Sequence, residues 1–403
     1  MDDAGACPLP SGHVDAVIVG AGAAGLSLAC HLASVGWGDR VLLVDDGSRP
    51  VEQRSWAWWS TGAELLAASA STAADYLWVA GDGWRRRLAL APYSYRRITG
   101  PELSGVTEGL MSARPGYQRL VGSVRTLVPD GTGCRVAIES PGPSGTRTVE
   151  ISARWVFDSV GVGGSLRPPA SHAYLDFHGL RVEAPTTDAF DPQTVTLMDF
   201  RTDQSTGVAF MYVLPTSTRH ALVERTVFAH ADTDDREAQS ALHEAHVRRY
   251  LDRHVGRGPW RVTGREIGTI PLQRGPVPAA VDPVIPIGAR AGMVKASTGY
   301  GFDRIQRHSS AIASCLIRGR SPAHAMPSRR WSDALDAALL RVIREDPAAA
   351  VAILSALLKR NPAPRILAFL DEDASILDQF RLFATLPLMP FVRAHAGAVR
   401  GRR

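Results

Sequence analysis

The sequence predicts an α/β protein in which a Rossmann-like nucleotide-binding domain is combined with an antiparallel β domain and a C-terminal helical region. Three observations predict this arrangement: a strand, glycine turn, helix and strand in residues 14–45, alternating strand patterns in residues 195–228, and helical apolar spacing after residue 327. The chain has 403 residues, which is too long for one ordinary hydrophobic core, so we expect two interlocked domains.

The nucleotide-binding unit consists of an apolar run at residues 14–19, a G-x-G-x-x-G turn, a helical pattern, and a second apolar run that ends on Asp45, twenty residues after Gly25. The first glycine, Gly20, allows the tight turn, and the second, Gly22, lets backbone N–H groups approach a pyrophosphate. Gly25 lets the helix pack closely on the strand. The helix N-terminus adds partial positive charge, and Asp45 can accept hydrogen bonds from ribose hydroxyls. The unit therefore predicts dinucleotide binding; the alternative is a glycine turn in an ordinary α/β core.

The composition excludes several classes of protein. The net charge of +5, from 45 basic and 40 acidic residues, is mild and gives no strong indication of nucleic-acid binding. The cysteines are scattered without C-x-x-C spacing, so neither a zinc site nor a disulfide framework is indicated, and a reduced cytoplasmic chain is the simplest interpretation. The N-terminus lacks the features of a signal peptide, and no apolar run reaches the roughly 18 residues that a membrane-spanning helix needs.

A tryptophan-rich segment, residues 51–60, follows the nucleotide unit. Trp56, Trp58 and Trp59 occupy three of four consecutive positions, so they either fill a core or line a cavity for a large, flat or cationic ligand. Arg54 beside them needs a partner, and a phosphate or the edge of a flavin would serve.

Two later strand-and-glycine segments resemble further parts of a nucleotide site. Residues 154–161 are predicted to form an apolar strand that runs into Asp158 and a glycine turn. Glycines at this turn would let the backbone approach a ligand closely. A strand at residues 284–287 runs into Gly288, Gly292 and Gly299, where backbone N–H groups can face a phosphate or a ring carbonyl. Residues 77–95 and 133–149 are predicted to be rich in β-structure, and residues 116–127 between them are predicted to form a helix.

The strands in residues 195–228 carry an isolated carboxylate. In the third strand, alternation places Leu222, Glu224 and Thr226 on one face and Arg225 on the other. Glu224 is therefore either a solvent-exposed residue or a buried acid with a raised pKa. In the helical pattern at residues 236–254, His243 and His246 share one face, which we interpret as solvated rather than as a metal site.

The C-terminal region is predicted to be helical near residues 331–344, 348–359, 363–369 and 375–383. An apolar stretch at residues 386–392 precedes four arginines, Arg393, Arg400, Arg402 and Arg403. Such a stretch suits the surface of an anionic bilayer, although helices that pack on the body and end in a ragged tail would explain it equally well.

With these segments identified, the sequence resembles the flavin-dependent lycopene cyclases of bacteria and plants over residues 14–392. The anchors are the glycine turn at residues 20–25 and the segments at 54–56, 198–201, 212–215, 222–224, 297–300 and 304–306. The resemblance implies a two-domain flavoprotein fold that binds FAD non-covalently and is active when the flavin is reduced. It also implies NADPH or another reductant, no net redox change, and peripheral contact with the inner face of the membrane that dissolves lycopene.

The family chemistry explains the residue types. Ring closure begins when an acid protonates a double bond of the acyclic polyene end, and such an acid must be neutral and poorly solvated. Glu224 aligns with the acid of the family, and Glu266 is a second candidate acid or base. The substrate-pocket residues that the resemblance implies are Trp56, Trp58, Trp59, Asp199, Arg201 and Tyr212. Together with the glycine segments, it implies cofactor-binding roles for Gly20, Gly22, Ala24, Gly25, Asp45, Arg54, Asp158, Gly288, Gly292, Gly299 and Tyr300.

The sequence departs from the family at two positions, because Arg225 replaces a second acid after Glu224 and Ala296 replaces a proline. Both leave room for another polyprenyl substrate. The rival interpretations are an FAD-dependent hydroxylase and a non-catalytic isoprenoid carrier. We predict an FAD-binding domain from residues 14–60, 100–165 and 280–320, a β-rich substrate domain from residues 61–99 and 166–279, and a helical region at residues 327–395.

Overall fold

The computed structural model describes residues 12–142, 145–162, 173–230, 236–256, 258–272, 278–325 and 330–391. The strands are β1 (His13–Val19), β2 (Val41–Asp45), β3 (Ser55–Ser60), β4 (Thr72–Ala74), β5 (Tyr76–Gly81), β6 (Trp84–Ala89), β7 (Ser94–Thr99), β8 (Tyr117–Val121), β9 (Ser123–Pro129), β10 (Cys134–Gly142), β11 (Gly145–Asp158), β12 (Ala173–Glu183), β13 (Thr194–Asp199), β14 (Ala209–Pro215), β15 (His220–His230), β16 (Arg261–Pro271) and β17 (Val284–Pro286). The helices are α1 (Ala23–Val35), α2 (Gly100–Ser112), α3 (Arg236–Tyr250), α4 (Phe302–Ile317), α5 (Arg330–Glu345), α6 (Pro347–Arg360), α7 (Ala363–Leu370) and α8 (Ile376–Phe383).

The first sheet carries the nucleotide-binding unit. Its strand order is β8-β2-β1-β11-β10-β9, with β17 beside β11, and β1 is parallel to both β2 and β11. The strand predicted at residues 154–161 therefore returns to the nucleotide sheet, as expected. Ala16, Val17 and Ile18 are fully buried, because a parallel sheet covered on both faces requires apolar side chains on both. On the helical side, Gln306 of α4 hydrogen-bonds to Ser27 and His31 of α1, which fixes α4 against α1.

The helix predicted at residues 116–127 is wrong. This segment forms β8 and β9, and the neighbouring helix is α2, which begins earlier. Thr99 and Glu102 form a capping box at the start of α2, with Pro101 in its first turn. Thr-x-x-Glu with an internal proline is a helix-start signal, and it identifies the correct position.

The second sheet has the strand order β16-β12-β15-β14-β13-β5-β6. Its strands pair antiparallel except for β13 and β5, and the predicted antiparallel strands in residues 195–228 are confirmed as β13, β14 and β15. One face of this sheet packs against α3 through Val247, Tyr250 and Leu251. The other face is lined with apolar side chains and looks toward the nucleotide domain and the C-terminal helices.

A small third sheet, with the order β3-β7-β4, joins the two regions. β3 lies in the segment assigned to the nucleotide domain, whereas its partner β7 lies in the segment assigned to the β domain. The tryptophan-rich segment is β3 itself, so its indoles project from a paired strand and not from a surface loop.

The four predicted C-terminal helices are confirmed as α5 to α8, with ends within a few residues of the predicted ones. Leu354 and Leu357 of α6 and Ile366 of α7 are buried in the same hydrophobic core as the second sheet. Among the described residues, none of the helices combines the length and apolar character needed to cross a membrane. The arginines from Arg393 onward lie outside the described residues.

Candidate functional site

The glycine turn between β1 and α1 has the geometry of a dinucleotide cradle. Gly20 has a φ of 95°, a conformation that favours glycine. A Cβ at Gly25 would collide with the carbonyl oxygen of Gly20, whereas a Cβ at Gly22 would have no heavy atom within 4 Å. The cradle is therefore tight toward the protein and open at the position where a pyrophosphate would approach. Gly22, which caps α1, has no side-chain hydrogen bond to the helix, and the first turn contains no acid, so the helix N-terminus can receive an anion.

Two aspartates hold the loops that surround this cradle. Asp45 ends β2, and its carboxylate accepts hydrogen bonds from the N–H of Ala21 at 2.7 Å and of Gly47 at 2.8 Å. Asp158 ends β11, is fully buried, and accepts from the N–H groups of residues 160–162. Asp158 therefore shapes the turn below the nucleotide loop, and it is also 3.5 Å from Arg290. The next glycines, Gly163 and Gly164, lie outside the described residues.

The second glycine segment meets the first one directly. Gly288, Gly292 and Gly299 all have positive φ, and a Cβ on Gly288 would lie 2.5 Å from Cβ of Ala24. Ala24 thus faces Gly288 across the gap between α1 and the end of β17. Gly288 therefore lies beside the first glycine turn, and the roles of these glycines in cofactor binding stay a prediction.

A cavity of about 240 Å³ lies between the second sheet, the glycine segment at residues 297–301 and helices α6 and α7. Its walls are mostly apolar and aromatic, which is the usual character of a site for an apolar ligand. The lining side chains include Trp56, Trp59, Tyr95, Phe177, Leu197, Phe210, Tyr212, Leu222, Glu224, Phe228, Glu266, Tyr300, Leu357 and Leu370.

Glu224 projects into this cavity from β15. Leu222, Glu224 and Thr226 all line it, which confirms the face predicted from alternation. Burial raises the pKa of Glu224 to about 8, the charge of Glu266 adds to the increase, and Arg181 and Arg97 oppose it. Glu224 is 9% exposed, so the interpretation as a buried acid is correct and the solvent-exposed alternative is wrong.

Gly179 creates the space that Glu224 occupies. It lies on β12 directly between Glu224 of β15 and Glu266 of β16, with all three in one cross-strand row. A Cβ on Gly179 would lie 2.6 Å from Cγ of Glu224 and 2.9 Å from Cδ1 of Leu222. The row therefore places two carboxyl groups on one face of the sheet, two strands or about 10 Å apart along the backbone.

Glu266 differs from Glu224 because it has a cationic partner. Arg181 donates to Glu266 at 2.6 Å. Burial raises the pKa of Glu266, and Arg181 and Arg97 oppose this increase. Glu266 is thus the member of the pair that holds negative charge more easily, while Glu224, with no hydrogen bond to a cation among the described residues, keeps its proton.

A chain of tyrosines lies in the same cavity. The hydroxyl of Tyr95 is 3.0 Å from that of Tyr212 and 2.7 Å from that of Tyr300. Burial holds the pKa of all three phenols well above the usual value, and the charge of Glu224 contributes to this. The phenols therefore stay neutral and present polarisable rings to the cavity.

The tryptophans of β3 divide between two environments. Trp56 and Trp59 line the cavity, whereas Trp58 is buried against Phe302, with ring centroids 4.6 Å apart, and does not line the main cavity. The indole N–H of Trp59 donates to Asp371 at 2.6 Å, which ties the cavity wall to the turn after α7. Both earlier alternatives for this segment, core filling and cavity lining, are therefore realised in one strand. Arg54 is exposed at the start of β3.

Asp199 and Arg201 do not line the cavity that contains Glu224. Asp199 is buried on the face of the sheet that packs against α3, where it accepts from Tyr250 at 2.8 Å and from Arg201 at 2.6 Å. Their position corrects the expectation of a substrate-pocket role. Leu197 and Met198 of β13 line the cavity, whereas Asp199 at the end of the strand contacts Tyr250 of α3.

Arg225 also lies on the α3 side, as expected from alternation, so it does not neutralise Glu224. It is 1% exposed and contacts His243 at 3.4 Å. The prediction of a solvated face for His243 and His246 is wrong, because both are buried against the sheet. Burial, together with the neighbouring His178 and Arg225, lowers the pKa of His243 to about 3, so it is neutral.

The glycine segment at residues 297–301 is attached to the C-terminal helices by charged groups. Lys295, 5% exposed, lies 3.1 Å from Asp336 of α5 and 3.5 Å from Glu372. Arg304 of α4 pairs with the same Glu372. These buried pairs place α5 and the turn after α7 against the loop that precedes Tyr300, which explains why charged residues occupy this part of the sequence.

Several residues that shape the site were missed from the sequence: Gly179, Tyr95, Arg97 and Arg181. A glycine within an otherwise regular strand signals close approach of another group, and Gly179 could have been found in this way. The other three lie on strands far from Glu224 in sequence and carried no local signal.

The fold of the chain is that of solved flavoprotein structures. A geranylgeranyl bacteriochlorophyll reductase-like protein from Thermoplasma acidophilum superposes with a TM-score of 0.59 at 14% identity, over 95% of this chain and 96% of that one. A probable FAD-dependent monooxygenase from Pseudomonas aeruginosa superposes with a TM-score of 0.58 at 17% identity, over 89% and 100%. Identities this low establish the fold alone.

Residues 15–396 match the family model described as lycopene cyclase protein. The chain therefore belongs to the lycopene cyclase family. A capsanthin/capsorubin synthase of Citrus sinensis is 29% identical over 205 residues, which cover 43% of this chain and 38% of that protein. A neoxanthin synthase of Solanum tuberosum is 26% identical over 165 residues, which cover 38% and 31%. The match therefore spans about a third of the length of these curated relatives. The resemblance drawn from the sequence is confirmed at the level of the family.

Proposed function

We propose that the protein is an FAD-dependent lycopene β-cyclase, which closes β-rings at the acyclic ends of lycopene to form γ-carotene and β-carotene without net oxidation or reduction. The observation that carries this proposal is Glu224, a carboxyl group with a pKa of about 8 that is buried in an apolar, aromatic cavity. An acid that stays protonated at neutral pH and is poorly solvated suits the protonation of an alkene.

Different residues of the cavity serve the successive steps of ring closure. Glu224 donates a proton to the terminal double bond, and the adjacent cationic carbon is attacked by the next double bond, which forms the ring. Loss of a proton from the ring then restores a double bond, so the proton added is balanced by the proton released. Glu266, held as a carboxylate by Arg181, is our candidate for its acceptor. Trp56, Trp59 and the tyrosine rings face the cavity and stabilise positive charge on the polyene.

FAD fits the cradle formed by Gly20, Gly22 and Gly25, because this turn is open toward a ligand and ends at an uncapped helix N-terminus. When bound there, reduced FAD would supply negative charge that stabilises the cationic intermediate, and NAD(P)H would be the reductant that keeps it reduced. Gly299 and Tyr300 line the cavity and belong to the glycine segment, so they are the residues we expect to lie between cofactor and substrate.

The rate of ring closure is expected to fall tenfold per pH unit above about pH 8. The raised pKa means that Glu224 is protonated and active below this value and loses its proton as the pH rises through it. Glu266, Arg181, Arg97 and the neighbouring tyrosines are the charged and titratable groups that face it. The measurement is the initial rate with saturating lycopene liposomes from pH 5 to 10, with circular dichroism to confirm folding. A rate that stays constant up to pH 10 would exclude Glu224 as the acid.

The test of the function is product analysis after incubation of the purified protein with FAD, NADPH and lycopene liposomes in heavy water. Cyclic carotenoid that carries one deuterium per ring and forms only with reduced flavin is expected. Oxygenated product with stoichiometric consumption of NADPH would instead establish the FAD-dependent hydroxylase. Unchanged lycopene would leave the fold assignment intact and move the search to other polyprenyl substrates.

An apolar surface on the C-terminal helices supports peripheral contact with a membrane. Ile376, Leu377 and Phe380 of α8 are 75%, 57% and 69% exposed, and Met389 is 61% exposed. The adjoining α7 contributes Leu370 to the cavity wall, so exposed apolar surface and cavity belong to one helical hairpin. We propose that this surface docks on the inner face of the membrane and receives the substrate from it.

The double substitution Ile376→Ser with Phe380→Ser is expected to weaken binding to liposomes by about tenfold or more, because each side chain buried in the bilayer contributes roughly 1.5–3 kcal/mol. Co-sedimentation with anionic vesicles measures this. Val121→Ser, which removes a side chain that is 58% exposed on the nucleotide sheet, is the control and should bind as the unmodified protein does. Equal binding of all three proteins would place the membrane contact elsewhere.

A further inference from the structure

The indole of Trp59 forms part of the cavity wall, and packing alone does not fix its orientation. Trp59 is 4% exposed on β3, and its ring meets that of Tyr300 edge-on, with centroids 4.9 Å apart. Behind the indole lies a small pocket of about 20 Å³, which we call the rear pocket. Its lining includes Trp59, Tyr300, Asp303 and Asp371. Because this space adjoins the indole, the ring has some room to move, and a directional contact is needed to hold it.

That contact is the hydrogen bond to Asp371. The indole N–H of Trp59 donates to Oδ2 of Asp371 at 2.6 Å. Asp371 lines the rear pocket and not the main cavity, so the N–H edge of the ring is directed away from the main cavity, while other atoms of Trp59 line it. The edge of an aromatic ring carries partial positive charge and its face carries negative charge. The bond therefore keeps the edge that would repel a cation out of the cavity.

The turn after α7 is built to hold the carboxyl group of Asp371 in place. The next residue, Glu372, has a φ of 69°, a conformation that favours glycine and that glycine usually supplies at the end of a helix. Its carboxylate accepts from Ser332 of α5 at 2.6 Å and pairs with Arg304 of α4. These contacts explain why a glutamate occupies the strained position, because a glycine could not anchor the turn to α4 and α5.

Asp371 holds the indole without a full negative charge. The guanidinium of Arg307 lies 2.7 Å from both Asp303 and Asp373, and Asp371 is farther from it, at 4.0 Å. Burial raises the pKa of Asp371 to about 8, and the charge of Asp303 adds to the increase. Arg307 and the hydrogen bond from Trp59 oppose it. At neutral pH this carboxyl group is therefore mostly protonated and accepts the indole N–H through an uncharged oxygen, as the amide of an asparagine would.

We propose that Asp371 is a positioning residue for ring closure, which acts through Trp59 by holding the face of the indole, and not its N–H edge, toward the cationic end of the polyene. This inference rests on the proposed function, because a cationic intermediate is what distinguishes the two orientations of the ring. A cation over an indole face is stabilised by an amount that corresponds to roughly a twofold to thirtyfold change in rate.

The test compares single and double variants at the two positions. Asp371→Ala removes the acceptor, Asp371→Asn keeps it, and Trp59→Phe removes the indole with and without Asp371→Ala. Initial rates with lycopene liposomes and reduced FAD give kcat and KM. Heteronuclear NMR of the isotope-labelled full chain follows the indole N–H signal of Trp59, which is identified by its loss in Trp59→Phe. If Asp371→Ala does not fold, Asp371→Leu, which fills the space and also lacks an acceptor, takes its place.

Gln379→Ala is the matched control, because Gln379 accepts the indole N–H of Trp331 at 3.1 Å and neither residue lines the cavity. Asp371→Ala is expected to lower kcat by roughly twofold to thirtyfold with little change in KM, and to shift the indole signal of Trp59. Asp371→Asn should restore both, and Gln379→Ala should change neither. The double variant should have the same kcat as Trp59→Phe, since Asp371 then has no indole to position.

Two results would overturn the proposal. The first is an unchanged kcat in Asp371→Ala, and the second is a loss of kcat that persists in full in the Trp59→Phe background. The second result would mean that Asp371 acts only by supporting the C-terminal helices, and thermal melting would register that support. If the unmodified protein forms no cyclic carotenoid, the proposed function fails and the role of Asp371 in ring closure fails with it. The NMR signal, which needs no carotenoid, still decides whether Asp371 holds the indole.

Discussion

Replacement of Glu224 by Gln is expected to reduce the rate of ring closure by about 10²–10⁴-fold, because the amide has nearly the same shape but cannot donate a proton to an alkene. The rate is measured by chromatography of the carotenoid products with saturating lycopene liposomes and reduced FAD. The affinity for FAD should stay the same, since Glu224 lies on the second sheet and not in the cradle. Glu183→Gln, the same change at the end of β12, is the control and should retain full activity.

The same substitution has a second, independent consequence for stability. The pKa of Glu224 is about 8 in the folded protein, against 4.5 for an ordinary glutamate. At a pH between these two values the folded protein therefore binds a proton that the unfolded chain has released. The folded state of the unmodified protein therefore loses stability as the pH rises from about 4.5 to 8, by up to about 1.4 kcal/mol per pH unit. Glu224→Gln lacks this dependence. Denaturant titrations at pH 5, 6.5 and 8 should show the variant gaining stability relative to the unmodified protein; parallel curves would contradict the raised pKa.

Gly179→Ala is expected to lower the rate of ring closure by about 10²-fold, because the added Cβ would lie 2.6 Å from Cγ of Glu224 and would displace the acid. Cδ1 of Leu222 would lie 2.9 Å from the same added Cβ, so two neighbouring side chains would have to move. The free energy of unfolding should decrease by about 1–3 kcal/mol, as is usual for an overpacked core. Product formation and thermal melting measure the two effects.

The control for this variant is Gly105→Ala in α2, where an added Cβ meets no heavy atom within 4 Å. Its activity should be unchanged, and its stability should rise by roughly 0.5–1 kcal/mol because alanine favours the helix. In Gly179→Ala, the pH at which activity declines should also shift, since the surroundings of Glu224 change. Full activity with an unaltered pH profile would show that the cavity has room for a larger residue at this position.

The parts of the site that could be predicted are those encoded within short segments. The cradle around Gly20 depends on glycine spacing and an adjacent strand and helix, and the face of Glu224 depends on alternation within one strand. Both are local properties of the chain. The roles of Glu224 and Glu266 came from the family resemblance, because alternation alone left a solvent-exposed carboxylate as the alternative.

The parts that could not be predicted depend on register between distant strands. Gly179 lies opposite Glu224 only because β12 pairs with β15, and the burial of His243 follows from the packing of α3 on Arg225. Asp199 was expected in the substrate pocket because of the family resemblance alone, whereas its contact with Tyr250 depends on the packing of α3 against the sheet. The helix predicted at residues 116–127 failed for a simpler reason, since its alternating pattern and the capping box of α2 were overlooked.

The hydrogen bond between Trp59 and Asp371 joins residues 312 positions apart in the chain. During synthesis, the ribosome therefore releases the first wall of the cavity long before the last one exists. Until α6 and α7 emerge and fold, the apolar side of the second sheet is uncovered and available to chaperones or to other nascent chains. The cavity is therefore complete only after α6 and α7 have folded against the second sheet.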